Sequence, residues 1–509
     1  MPEIISKKRI FLNTGILYIR QIFSMFISFF TVRLVLKSLG QTDFGIYNIV
    51  GGFIVFFTFI SNSLVSSTQR YLNVSLGKKD KTLTSEIYNI SGRIYFVIAT
   101  IFVFFSETIG LLLIFNNLNI PIERKNVASV IYQLSIFSTF FSILKTPAYA
   151  LIVAHEKMSF FAIFDIFIVL SNFILALCNL YCVTIDHLVF YGIYIFLSNF
   201  ITYIGYLLYC YKKFPESHFK KFISNKELYK KILFFSGWNL FGEVANVCND
   251  HGITLIVNLT FGVLVNTALG LANQISNAIY NFVRNFQKAF TPQIIKAYAI
   301  NCMDDFQDLI LSTSKISFYL LFCIVIPVIL NINDLLGIWL GEIPNHTKNF
   351  ISMLLIWSLI ESMDGPLYTG IESTGIVKKY QLIYGLIIIM RLPICYFLFH
   401  MGYKVEIIFV VKIIQIIILY LFTLFHLRKL THINVSIILR DVLLKNIIIV
   451  IFALPIPLIF KYFIPSFFMK FVLIGIISFF SCVCAIFFIG LNTKERNKLL
   501  SIIRRKYNK

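Results

Sequence analysis

About fourteen stretches of this chain are each long and apolar enough to cross a bilayer, and little sequence is left between them. A membrane helix needs about 20 mostly apolar residues. Such runs fall approximately at 12–36, 44–68, 91–115, 128–153, 159–181, 188–211, 231–257, 264–288, 308–330, 349–371, 376–400, 404–427, 444–464 and 469–491. Of 509 residues, 58% are hydrophobic, 55 are Phe and only 14% are charged, and the mean hydropathy is +0.82. One water-soluble core cannot hide that much apolar surface. The sequence therefore predicts an all-α, polytopic membrane protein. No cleavable signal peptide is expected, because the first run carries Arg20 and Arg33 and no small-residue cleavage site follows it.

The runs are duplicated. Lys145-Thr146-Pro147-Ala148-Tyr149 returns as Asp364-Gly365-Pro366-Leu367-Tyr368, and each is read as a helix ending. Gly15, Gly40 and Gly45-Ile46-Tyr47-Asn48 return as Gly237, Gly262 and Gly270-Leu271-Ala272-Asn273. A period of about 220 residues is too long for a solenoid and fits two transporter halves around a midplane site. The expected division is 1–215 with spans 1–6, 216–430 with spans 7–12, and 431–509 with spans 13–14 and a basic tail: two pseudo-symmetric six-helix lobes plus two C-terminal helices.

Charge gives orientation. Lys and Arg concentrate at both termini and in the even-numbered connections, among them Lys7-Lys8-Arg9, the 212–231 cluster and 494–509. The positive-inside rule then puts both termini in the cytoplasm. The net charge of +21 is mostly topology, and with no basic domain interleaved with aromatics a nucleic-acid partner is not expected. The nine cysteines form no CxxC pair and read as small apolar packing residues. The eight histidines are scattered without metal-ligand spacing, so neither metal nor cofactor is expected. The longest links, 212–230 and the tail after 491, are too short for a soluble catalytic domain, and the chain is not expected to be an enzyme.

Polar groups that persist in membrane helices face a bundle interior or a wet cavity. At about 100° per residue, Asn239, Glu243, Asn246 and Asp250 of span 7 fall within about 60° of one another. On span 1, Asn13, Arg20, Ser24, Ser28 and Thr31 form the corresponding stripe. Asn273, Asn277, Asn281, Arg284 and Lys288 share a face of span 8, and Asn48, Asn62, Ser66 and Gln69 share one of span 2, next to Arg70. A hydrophilic cavity lined by spans 1, 2, 7 and 8 is expected; the competing expectation is that these groups only join helices through hydrogen bonds. Arg33, about 140° around span 1 from Arg20, is a control expected to snorkel. On span 10, Glu361 and Asp364 stand on one face just before Gly365-Pro366, where a proline frees a carbonyl. They are candidates to take up H⁺ or Na⁺, as are Glu243 and Asp250; a salt bridge from Glu361 or Asp364 to Arg391 is the alternative. Asp165 and Glu107, each alone in an apolar helix, have the same two readings, and His251 beside Asp250 adds a pH-sensitive group.

With Gly40-x-x-x-Phe44-Gly45-Ile46-Tyr47, Ser66-Ser67-Thr68-Gln69-Arg70-Tyr71, and Gly365-Pro366-Leu367-Tyr368-Thr369-Gly370-Ile371-Glu372-Ser373-Thr374-Gly375 before Lys378-Lys379-Tyr380-Gln381, the chain resembles bacterial polysaccharide-biosynthesis flippases. These belong to the multidrug/oligosaccharidyl-lipid/polysaccharide (MOP) exporter superfamily, and the likeness covers essentially the whole chain. The resemblance implies a V-shaped pair of lobes that opens alternately to either side of the bacterial cytoplasmic membrane. It implies an undecaprenyl-diphosphate-linked oligosaccharide as cargo, as in O-antigen or capsule assembly, with polymerases and glycosyltransferases as functional partners. Arg20 and Arg284 match the diphosphate-binding cations of such a cavity, with Lys288 and Arg70 nearby. Asn239, Asn246, Asn273, Asn277 and Asn281 would meet sugar hydroxyls. Glu243 and Asp250 depart from a purely cationic cavity.

Three alternatives are weighed against this. A multidrug exporter of the same superfamily usually has twelve spans and acidic walls. A peptidoglycan-precursor flippase shares the fourteen-span frame. A membrane-embedded glycosyltransferase or polymerase needs a large external loop, whereas the connection around 331–348 offers only Asp334 and Glu342.

Overall fold

The computed structural model describes residues 7–55, 58–110, 122–181, 185–218, 225–340, 344–463, 467–492 and 495–496. The side chains of Asn48 and Asn62, the 219–224 part of the basic link, Glu342 and the tail beyond 496 lie outside the described residues. Every regular element among the described residues is helical. The first half comprises α1 (Lys7–Val55), α2 (Thr58–Gly77), α3 (Lys81–Phe105), α4 (Lys125–Leu144), α5 (Thr146–Ala154), α6 (Met158–Tyr181) and α7 (His187–Lys213). The second comprises α8 (Lys226–Phe261), α9 (Val263–Ala299), α10 (Met303–Leu330), α11 (Ile332–Leu340), α12 (Thr347–Thr374), α13 (Lys378–His400) and α14 (Ile407–Thr431). The C-terminal helices are α15 (Val435–Ile438), α16 (Lys445–Ala453), α17 (Pro455–Phe463) and α18 (Phe467–Ala485).

Among the described residues, eleven helical segments are long and apolar enough to cross a membrane, and each coincides with one of the expected runs. The chain is a polytopic membrane protein. The three remaining runs are the second limb of α1 with α2, then α8 (36 residues) and α9 (37 residues). At about 1.5 Å per residue, α8 and α9 exceed the roughly 30 Å hydrocarbon core. What separates them from the eleven is polarity, the same stripes that the sequence displays.

The duplication is written into the backbone. Helix α1 breaks at Gly40 (φ 69°) and α8 ends at Gly262 (φ 83°); Lys79 (φ 57°) matches Asn301 (φ 60°), and Glu156 (φ 58°) matches Gly375 (φ 80°). Each pair stands about 220 residues apart, and left-handed backbone is rare enough outside glycine that three matched pairs point to one repeated template.

The two copies of the proline motif differ. In the first, Lys145 separates α4 from α5, with Pro147 in the opening turn of α5, where a missing N–H costs nothing. In the second, the expected helix ending is corrected: α12 runs through Pro366 to Thr374. Pro366 frees the carbonyl four residues back, that of Ser362, and Gln287 of α9 donates Nε2 to it at 2.9 Å and to Ser317 Oγ at 3.1 Å. Gly365 makes the room, since a Cβ there would lie 2.7 Å from Gln287 Oε1. A neighbouring amide thus satisfies the broken ladder and the helix continues.

The packing divides into two compact units: Met1–Val247 with Ile295–Cys302 and Val377–Leu382, and Cys248–Ile294 with Met303–Ile376 and Ile383–Lys509. In the first, α1 packs on α6, α4 on α7 and α2 on α5, around Leu72, Ile87, Ile131, Tyr132 and Ile143. Asp80 caps α3 through Leu83 N, and Asp186 caps α7 through Leu188 N and Val189 N. Arg124 ties that cap to α1, bonding Asp186 and meeting Asp43 at 2.9 Å. In the second unit, α12 packs against α10 and α14, and α10 against α18.

Candidate functional site

In the first unit, Arg20 of α1 donates to Asp165 Oδ2 of α6 at 2.7 Å, and its guanidinium lies 4.9 Å over the Phe161 ring. The two side chains are only 12% and 30% exposed. The lone acid of α6 thus has a partner, and Arg20 is held by a carboxylate and an aromatic face at once. Glu107 accepts from Gln133 at 3.0 Å. Arg33 is exposed, on a different face from Arg20.

Two of the first unit's stripe residues join helices. Asn239 is buried, donating to Ser66 Oγ of α2 at 3.3 Å while its Oδ1 accepts from Gln381 of α13 at 3.0 Å. Arg70 is buried against Tyr71 and Phe235, 4.7 and 5.1 Å from the ring centroids. Glu243 and Asn246 are half-buried on α8. The same unit holds a pair that the sequence gave no reason to suspect: Lys296 donates to Glu156 Oε1 at 2.8 Å, with the carboxylate side chain 3% exposed, and Asn13 donates to the Glu156 carbonyl at 3.3 Å.

In the second unit, Asp250 of α8 accepts from Arg391 of α13 at 3.3 Å. Arg391 is therefore bound to Asp250, not to Glu361 or Asp364 as the salt-bridge alternative expected, and the cations that act on Glu361 are Arg284 and Lys412. The Asp250 side chain is 73% exposed and that of Arg391 5%. Between them and Asn273, Thr254 and Lys412 lies a cavity of about 30 Å³, room for about one or two waters. Arg284 stacks on Tyr280 at 4.9 Å; it and Lys288 are exposed, as is Asn277, while Asn281 is half-buried. The charges acting on Glu361 are those of Arg284, Lys412 and Asp250. Asp364 is buried, and among the described residues its Oδ1 has no hydrogen-bond partner. His251, next to Asp250, is exposed.

Lys412 is the residue that stripe counting missed. Its ammonium sits 3.8 Å over the Trp357 ring in the middle of the apolar run Phe409-Val410-Val411-Lys412-Ile413-Ile414. An isolated charge inside a membrane helix is itself the signal, but it belongs to no repeated stripe. Among the described residues, no three His, Cys, Asp or Glu side chains converge as a metal site would require.

Residues 10–298 match the family of polysaccharide biosynthesis proteins. The chain belongs to that family. No curated protein matches the sequence. Among solved structures it is similar to a MATE mutant (TM-score 0.72, 14% identity, 83% of this chain and 97% of that one). It is also similar to an outward-facing multidrug resistance MATE family transporter of the MOP superfamily (TM-score 0.69, 12% identity, 84% and 96%). A MOP superfamily transporter from Pyrococcus furiosus, described as having a binding pocket of reverse polarity, gives a TM-score of 0.68 at 14% identity, over 82% and 96%. The fold is that of the MOP superfamily.

Proposed function

We propose that this protein is a flippase that carries an undecaprenyl-diphosphate-linked oligosaccharide across the bacterial cytoplasmic membrane by alternating access, with both termini in the cytoplasm. One observation carries the reading. A polysaccharide biosynthesis family member with the MATE fold places Arg284 and Lys288 exposed on α9, a helix long enough to span the membrane but too polar to face lipid. A diphosphate wants fixed guanidinium and ammonium donors, and asparagines at one-turn spacing on the same helix suit sugar hydroxyls. In the first unit, Arg20 is the corresponding candidate, able to exchange Asp165 for a phosphate oxygen while Phe161 orients it. The Pyrococcus furiosus transporter, with its pocket of reverse polarity, is a precedent for one fold carrying different pocket charge.

The largely exposed Asp250 carboxylate favours a second reading, a cation exporter. Purified protein in liposomes separates the two: fluorescent undecaprenyl-diphosphate oligosaccharide is presented in one preparation and a cationic dye in another. The flippase reading expects protein-dependent movement of the lipid-linked sugar and not of the dye. Dye movement alone would replace it with the exporter and make Asp250, Glu243, Glu361 and Asp364 the primary site.

A further inference from the structure

Five helices of the second unit bring three cations and three carboxylates to one place: Asp250 on α8, Arg284 on α9, Glu361 and Asp364 on α12, Arg391 on α13 and Lys412 on α14. The groups acting on the Lys412 ammonium are Arg391, Asp250 and Glu361. Arg284 also acts on Glu361, and the small cavity beside Lys412 and Asp250 admits water.

We infer that Lys412 is a proton-binding site of this protein, loaded and unloaded with H⁺ through that cavity, and that the cluster is not a sodium site. The charge inventory carries the argument. Asp250 and Glu361 already face three built-in cations, and Asp364 faces Glu361, so a sodium ion beside Lys412 would be a fourth positive charge next to an ammonium and two guanidiniums. A proton needs no such room. Arginines keep their protons, whereas lysine is the cation that gives its proton up when desolvated. On unloading, an Nζ–H bond breaks, the electron pair stays on nitrogen, and the proton passes to water in the cavity. Asp250 and Glu361 then lose a counter-charge while Asp250 keeps Arg391 and Glu361 keeps Arg284, and Trp357 loses the ammonium over its ring. What such a change would drive rests on the transport reading; the titration itself does not.

Trp357 supplies a local reporter. With Trp238→Phe and Trp339→Phe in the full chain, in nanodiscs without substrate, Trp357 emission is recorded against pH in sodium chloride and in choline chloride. The expected result is a pH-dependent transition that is the same in both salts and is lost in Lys412→Met and in Lys412→Arg. The arginine variant keeps a cation over the ring and leaves Asp250, Glu361 and Asp364 free to titrate, so a transition surviving in it belongs to the acids and overturns the inference. Flat emission across pH, or a response to sodium at fixed pH, overturns it as well. Should the liposome assay show no glycan movement while the Trp357 transition persists, the flippase reading fails and the proton site stands.

Discussion

Arg20 and Arg391 are both guanidiniums bound to an aspartate, at 2.7 and 3.3 Å, but their surroundings differ in kind. Arg20 and Asp165 are a close pair backed by Phe161, with Gln21 accepting from the same guanidinium and Lys145 the further cation on which Asp165 acts. Arg391 shares Asp250 with Lys412, which also faces Glu361, which in turn faces Arg284. A closed pair holds two helices, α1 and α6, in one arrangement. A shared network has several charge arrangements close in energy, so a change at one member is felt by the rest. The first suits a fixed anchor and the second a switch.

The largest effect is expected from breaking the closed pair. Arg20→Ala leaves Asp165 without its partner; since the two are 12% and 30% exposed, about 2–3 kcal/mol is expected, below the 3–5 kcal/mol of a fully buried pair. Thermal unfolding in detergent and glycan transport are both expected to fall. Arg20→Ala with Asp165→Ala should recover most of the stability and none of the transport. Recovery of both would make the pair purely structural and remove Arg20 from the cargo path.

Arg284→Ala is the counterpart in the network. Arg284 is exposed, so the thermal midpoint should hardly move while transport falls. Arg33→Ala, on a different face of α1, should change neither. If transport tolerates Arg20, Arg284 and Arg33 substitutions equally, there is no cationic cargo face.

These contrasts show where the sequence was informative. Apolar runs locate the helices because burial in lipid acts on about 20 residues at once, and the repeat pairs Gly40 with Gly262, the two positions where the structure then shows left-handed backbone that restricts the residue type. Pairings were not legible. Asp165 lies 145 positions from Arg20, and only the packing of α6 on α1 says that they meet. Asp250 lies 141 positions from Arg391, and only the folded chain says that α8 and not α12 supplies its carboxylate. Lys412 was visible but isolated, and periodicity finds only charges that recur. Gln287 carries no signal at all: an amide matters there because a proline on another helix left a carbonyl open.

A smaller effect tests the two proline copies against each other. Gln287→Leu leaves the Ser362 carbonyl unmet inside the continuous helix α12, and about 1–2 kcal/mol is expected. Gly365→Ala presses a methyl against Gln287 Oε1 and should destabilise similarly, and once Gln287→Ala has removed that contact, adding Gly365→Ala should cost little more than Gln287→Ala alone. The Pro147 copy, where the chain turns at Lys145, has no ladder of this kind for the same substitution to break. If Gln287→Leu unfolds at the wild-type temperature, the carbonyl finds another donor and Gln287 is not what carries α12 past Pro366.

The smallest effect compares the two carboxylates on Arg124. Burial pushes Asp43 above the ordinary carboxylate range against the pull of Arg124. Burial also acts to raise Asp186, but the guanidinium and the amides of Val189 and Leu188 prevail and hold it below that range. A depressed carboxyl contributes stability above its unfolded value, about 3.9, that is lost as pH falls through its folded value. A raised one contributes stability at low pH that is lost as pH rises through its folded value. Acidification should therefore spare Asp43 and weaken the Asp186 cap of α7. The thermal midpoint of the wild type should fall below about pH 4 more steeply than that of Asp186→Asn, which starts lower and has no charge to lose. Parallel slopes would mean that Arg124 holds the corner through Asp43 alone, and that the amide cap of α7 does not depend on the charge of Asp186.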